Sequence, residues 1–241
     1  VDLSREVKLI EKDLMSATKK VLNSGNYISG EHVDLFEKEF ADFCGVRNAI
    51  SVGNGSDGLK IIMKALGIGI GDEVICPANS FIASAWSIVD IGATPVFCDV
   101  ENNLLLSLES VKKYKSSNTK ALMAVHLTGK LCEMDILNNY CKKENIYLIE
   151  DAAQSIGASN NNNDKSGSLG IAGSFSMHPL KNLSVYGDGG VITTNSDALA
   201  KEMYMLRNHG LINRDEAKIW GINSRLDELQ AAYALIKLKK I

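Results

Sequence analysis

The chain has 241 residues, enough to bury a substantial core as one large domain or two small ones. Its 45% apolar and 23% charged residues are those of an ordinary globular protein, and a net charge of -3 argues against general affinity for nucleic acid or an anionic membrane. No apolar run reaches the length of a bilayer span and the first residues do not read as a signal peptide, so a cytoplasmic setting is expected.

Residues 4–24 predict an amphipathic helix with Val7, Ile10, Leu14 and Val21 on its apolar stripe, ended by Gly25. A loop follows over 26–30. Val33, Phe36, Phe40 and Phe43 then recur at three- and four-residue steps, which is a second helix with one buried face. From Asn48 the pattern changes to alternating strands and helices. Strands are expected at 49–52, 73–76, 95–98, 121–125 and 146–149, and helices at 59–66, 81–89, 107–115 and 134–143. Strands of nearly unbroken apolar sequence alternating with helices predict an α/β fold, a mostly parallel sheet with helices on both faces. Asn160 to Asn163 predict a mobile surface loop. Short strands at 175–177 and 191–194 flank a glycine-rich turn, and 226–241 is helical in pattern. That last helix reaches Ile241 without a glycine cap or a breaker, and the chain opens on Val1, so a continuation is expected. The five cysteines are odd in number and form no C-x-x-C pair, and the four histidines are scattered. Reduced thiols and no metal site are expected.

Three groups of residues fall at predicted strand ends, where ligands collect in such sheets. Gly53 to Gly58 is a glycine-rich turn opening a helix; its free N–H groups suit a phosphate, and a plain tight turn explains it equally well. Glu150 to Gln154 follows an apolar strand and offers the Asp151 carboxylate as partner for a protonated ring nitrogen, or as a simple cap. Lys181 sits on a turn after His178-Pro179, where the strand must stop, and a partly desolvated amine there can form a Schiff base. Amine, acid and phosphate cradle together are the parts of a pyridoxal phosphate site.

These stretches, with 26–30, 71–77, 95–99, 125–129, 176–183, 187–190, 206–210 and 221–232, resemble the DegT/DnrJ/EryC1/StrS family of sugar aminotransferases over nearly the whole chain. The resemblance implies the large domain of the fold-type-I aminotransferases and pyridoxal 5'-phosphate as cofactor. On it, residues 1–30 form an N-terminal helix and loop. Residues 31–241 form the cofactor-binding domain, ending in the helix that leads to a smaller C-terminal domain this chain lacks.

The resemblance also implies roles. Lys181 is the catalytic lysine, joined to the cofactor and later moving the proton. Asp151 pairs with the ring nitrogen, Gln154 contacts the ring hydroxyl, and Phe81 stacks on the ring. The backbone of Gly55, Ser56 and Asp57, with the Ser176 hydroxyl, cradles the phosphate. Asn223 reaches the cofactor phosphate of a neighbouring subunit, which implies a homodimer with shared active sites. The implied partners are a nucleotide-sugar and an amino-acid donor, glutamate, in amino-sugar or surface lipopolysaccharide synthesis. A cyclitol or other keto substrate, or a non-catalytic regulatory homologue, is the alternative. Lysine at 181 disfavours the family's dehydratase branch, which carries histidine there. Thr128 departs from the aromatic residue of many relatives. Trp86, Trp220 and Tyr186 read as packing residues, His178 as structural as readily as substrate-binding, and Lys237 to Lys240 as a solvated helix face.

Overall fold

The computed structural model describes residues 2–241. Seven strands form one sheet: β1 (Asn48–Val52), β2 (Glu73–Pro77), β3 (Thr94–Cys98), β4 (Thr119–Val125), β5 (Tyr147–Asp151), β6 (Ala172–Ser176) and β7 (Gly190–Thr194). Their spatial order is β1-β7-β6-β5-β4-β2-β3, which puts β5 at the centre. All neighbours are parallel except β7, which runs against both β1 and β6. The expected mostly parallel sheet is present, with one reversed strand. Residues 177–189 contain no helix to carry the chain across the sheet, so the strand that follows returns antiparallel.

Eight helices cover the sheet: α1 (Ser4–Ser24), α2 (Glu31–Cys44), α3 (Gly55–Ala65), α4 (Ile82–Asp90), α5 (Leu108–Tyr114), α6 (Met134–Glu144), α7 (Asp197–Arg207) and α8 (Glu228–Leu238). Side chains alternate along each strand and sort into separate cores. Val74, Met123, Ile149 and Ile192 pack under α3, α4 and α7. On the other face, Ile75, Leu122 and Leu148 pack under α5 and α6, while Phe175 and Val191 pack under α2 and α8. None of the described helices is long and apolar enough to cross a membrane.

The asparagine run lies at the surface as an exposed turn closed by Asn160, whose Oδ1 accepts the N–H groups of Asn162 and Asp164, each at 2.9 Å. Other expectations change. Lys237 is buried, because the inner face of α8 presses on α1 and the 184 turn. Its ammonium donates to Glu6 Oε2 at 2.7 Å and Ser184 Oγ at 2.6 Å. Trp86 is not packed, since it lies on the outward face of α4, and Trp220 stands exposed in the irregular stretch before α8.

One buried network ties the first strand to its helices. Glu37 of α2 accepts the Ser51 N–H at 2.8 Å, the Ser51 hydroxyl at 2.7 Å and the Tyr204 hydroxyl at 2.9 Å, and it pairs with Arg207. Arg207 also donates to the Ser51 carbonyl at 2.7 Å. Burial, then the nearby Glu37 carboxylate, push the Tyr204 phenol well above its usual range, so it stays a donor. Removing one partner strands a buried charge. Glu37→Ala or Arg207→Ala is therefore expected to cost about 3–5 kcal/mol in urea unfolding, and Glu37→Met with Arg207→Met together less than either alone. A double variant whose cost is the sum of the singles would refute the coupling.

Candidate active site

The site lies beyond the ends of β5 and β6, where the α3 turn, the α4 start and the 177–189 turn converge. Asp151 is the last residue of β5 and is buried. Its Oδ1 accepts the Ala153 N–H at 3.2 Å and its Oδ2 the Ser84 hydroxyl at 2.7 Å. Lys181 is half-buried on the turn after β6, its N–H donated to the His178 carbonyl at 2.8 Å. Burial lowers the proton affinity of its amine, while the Asp151 carboxylate pulls the other way; burial prevails. Gln154, Ser176 and Lys181 line one small cavity with Ala153 and Asn182.

The α3 turn meets this group at Ser176. Asn54 caps α3 by accepting the Asp57 N–H on its side-chain oxygen at 2.8 Å. The donors the turn keeps are the N–H groups of Gly55 and Ser56. A Cβ at Gly55 would lie 2.9 Å from Ser176 Cβ, so only glycine lets the turn come this close. The Asp57 carboxylate is tied to Asn54 Nδ2 at 3.0 Å, Ser224 Oγ at 2.8 Å and Lys60 Nζ at 2.7 Å. Burial opposes the charge on Lys60, but Asp57 and Asp90 outweigh it and hold the ammonium protonated.

The structure thus brings together Gly55, Ser56, Asp57, Asp151, Gln154, Ser176 and Lys181. Phe81 stands at the start of α4 and is 74% exposed. Asn223 is exposed, one residue from Ser224, which accepts the Gly53 N–H at 2.9 Å. His178 is used locally: its Nδ1 accepts the Leu180 N–H at 3.2 Å. Arg225 donates to Asn208 Oδ1 at 3.0 Å. Sequence reasoning missed Ser84, Lys60 and Ser224. Ser84, in the first turn of a mostly apolar helix that follows Ser80, was the available signal for the first.

A partly desolvated lysine on the turn after β6, facing the buried carboxylate that ends β5, is an arrangement suited to chemistry at the amine. The sequence profile of the DegT/DnrJ/EryC1/StrS aminotransferase family matches residues 8–241, and the chain belongs to that family. It is 46% identical to the dTDP-3-amino-3,6-dideoxy-alpha-D-galactopyranose transaminase of Aneurinibacillus thermoaerophilus, over 99% of this chain and 66% of that relative. It is 39% identical to the "Pleiotropic regulatory protein" of Geobacillus stearothermophilus, over 98% of this chain and 64% of that one. The crystal structure of S. venezuelae DesV in complex with a ketimine intermediate superposes with a TM-score of 0.96 at 38% identity, covering 99% of this chain and 64% of DesV. The chain therefore spans a little under two-thirds of the length of these relatives.

The lowered proton affinity of Lys181 is open to measurement. Competitive acetylation across a pH series, read by mass spectrometry, should show Lys181 half-reacting at a lower pH than the exposed lysines. Asp151→Asn should lower that pH further, because the carboxylate favours the charged amine. A Lys181 that reacts like an exposed lysine in both proteins would contradict the geometry.

Proposed function

We propose that the protein carrying this chain is an aminotransferase that passes an amino group from glutamate to a nucleotide-diphosphate ketosugar. The observation that carries this reading is the desolvated Lys181 amine beside the buried Asp151 carboxylate, next to a helix start with free N–H groups. The family's enzymes depend on pyridoxal 5'-phosphate. The residues present fit it: the Gly55 approach leaves no room for a side chain, and the acid and the amine face one cleft.

In this reading the N–H groups of Gly55 and Ser56 and the Ser176 hydroxyl hold the phosphate; the Asp57 N–H, expected to join them, is taken by Asn54 Oδ1 at 2.8 Å. Asp57 shapes that turn, its charge offset by Lys60. Asp151 accepts from the ring nitrogen and keeps it cationic. Gln154 reaches the ring hydroxyl and Phe81 covers the ring. Pyridoxal phosphate supplies an electron sink for the carbon that bears the amine. Lys181 anchors the cofactor through Nζ and, once released, takes and returns the proton at that carbon. An amine of lowered proton affinity suits the work, since at any given pH more of it is neutral than of an exposed lysine.

A homodimer with shared sites belongs to the same reading. Ile82, Trp86 and Val89 form an exposed apolar stripe on α4, beside Phe81, which is surface that a second subunit would cover. Asn223, exposed before α8, is the residue this reading offers to the cofactor phosphate of a neighbouring subunit. A cytoplasmic setting and a place in amino-sugar or surface-polysaccharide synthesis complete it. The name of the Geobacillus stearothermophilus relative favours a second reading, a cofactor-binding regulator without turnover.

Borohydride treatment of the native full-length protein with pyridoxal phosphate should leave the cofactor on Lys181 in a peptide map. Glutamate should bleach the yellow colour and a nucleotide ketosugar restore it. Lys181→Ala should cut turnover by about 10²–10⁴-fold or more. Colour that no amino donor bleaches would favour the regulator; cofactor found on another lysine would end both readings.

A further inference from the structure

The carboxylate of Asp151 accepts one hydroxyl of α4, which is itself backed by a second hydroxyl just before that helix. Ser84 is 1% exposed, and its Oγ lies 2.7 Å from Asp151 Oδ2 and 2.6 Å from Ser80 Oγ. The direction of this chain follows from counting protons. A serine hydroxyl has one to give, and an ionised carboxylate has none. The Ser84 proton therefore goes to Asp151, and Ser80 must donate to Ser84. The relay runs one way, from the half-exposed Ser80 through Ser84 to the acid, each O–H polarising the next.

Helix chemistry does not account for this arrangement. A serine inside a helix commonly returns its hydroxyl to the carbonyl four residues back. Ser87, one turn on, does so, donating to the Ala83 carbonyl at 2.6 Å. Ser84 instead turns to Asp151; among the described residues its hydroxyl partners are Asp151 and Ser80 alone. With Ala153 donating to the other oxygen, the carboxylate cannot rotate without losing a bond. The charged group facing Asp151 is Lys181 across the cleft. Glu150 and His126 pair with each other in the layer on the opposite face of the sheet.

We propose that Ser84, backed by Ser80, is a positioning residue for Asp151. It fixes the carboxylate plane and keeps it a charged acceptor for a cationic ring nitrogen. The inference rests on the pyridoxal phosphate reading above. A ring nitrogen held less firmly as a cation draws less electron density from the Lys181 end of the conjugated system. Loss of the Ser84 hydroxyl should therefore move the pH midpoint of the bound cofactor's absorbance upward.

The test uses native full-length protein loaded with pyridoxal phosphate, as wild type, Ser84→Ala, Ser84→Thr and Ser80→Ala. Alanine suits a helix interior, and Ser80 is half-exposed, so both alanine variants should fold, which thermal melting checks. Ser84→Ala should raise the absorbance midpoint by about one pH unit and weaken cofactor binding about tenfold. Ser80→Ala should shift both the same way by less, and Ser84→Thr should restore them. A Ser84→Ala protein with the wild-type midpoint overturns the inference, as does one that binds cofactor more weakly with an unmoved midpoint, since that is a structural effect alone. Wild-type protein whose Lys181 takes up no cofactor overturns the reading beneath, and this inference with it.

Discussion

Two consecutive carboxylates end the central strand, and the two-residue period of a strand sends them to opposite faces. Glu150 is fully buried, a state that is costly for an ionised group unless donors surround it. It accepts the N–H groups of Gly167 at 2.8 Å, Leu169 at 2.8 Å and Gly170 at 2.6 Å, and lies 3.1 Å from His126 Nε2. His126 Nδ1 accepts the Cys132 N–H at 3.2 Å, so the ring proton sits on Nε2, facing Glu150. These bonds fix the loop that enters β6, and hence the strand that carries Ser174 and Ser176. Asp151, on the other face, is left to the cleft. One strand end thus builds the sheet with its first carboxylate and arms the site with its second.

The reversed strand does the rest. Because β7 returns antiparallel, residues 177–189 fold back over the end of β6 and carry Lys181 to the acid. That turn has few backbone bonds of its own, among them Val185 N–H to the Met177 carbonyl at 2.9 Å. It is held from outside: Lys237 donates to Ser184, and Tyr186 exchanges bonds of 2.9 and 3.1 Å with the Gln230 amide. The turn that carries Lys181 is therefore held in place by α8 as well as by its own bonds.

Much of this was legible in the sequence, because it is local. Apolar runs gave β1 to β5, Gly25 gave the end of α1 in left-handed conformation, and the strand-end groups pointed to the cleft. The helix α7 went unread, although Ser196 is an ordinary N-cap that accepts the Leu199 N–H at 3.3 Å. Its apolar positions, Leu199, Ala200, Met203 and Leu206, lie between the motif stretches 187–190 and 206–210. The misread residues fail for a different reason. Lys237 looks solvated by type, and only the packing of α8 on α1 buries it; Ser84 looks like filler until the strand beside it is known to end in an acid. Pairings across many residues carry no periodicity.

The charge arrangement at the α3 turn shows why such pairings matter to function. A helix start favours an anion through its free N–H groups and its dipole, and a carboxylate in the first turn would compete for that place. Asp57 is in that turn, yet its oxygens are committed: one to Lys60, the other to Asn54 and Ser224. Lys60, three residues on, offsets its charge, while Ser224 reaches from the far side of the chain to both Asp57 and the Gly53 N–H. The acid therefore works as a brace, and the field at Gly55 and Ser56 stays positive. Without Lys60 the same backbone would present a weaker site for a doubly charged phosphate, so the cradle depends on a side chain that need not touch its ligand.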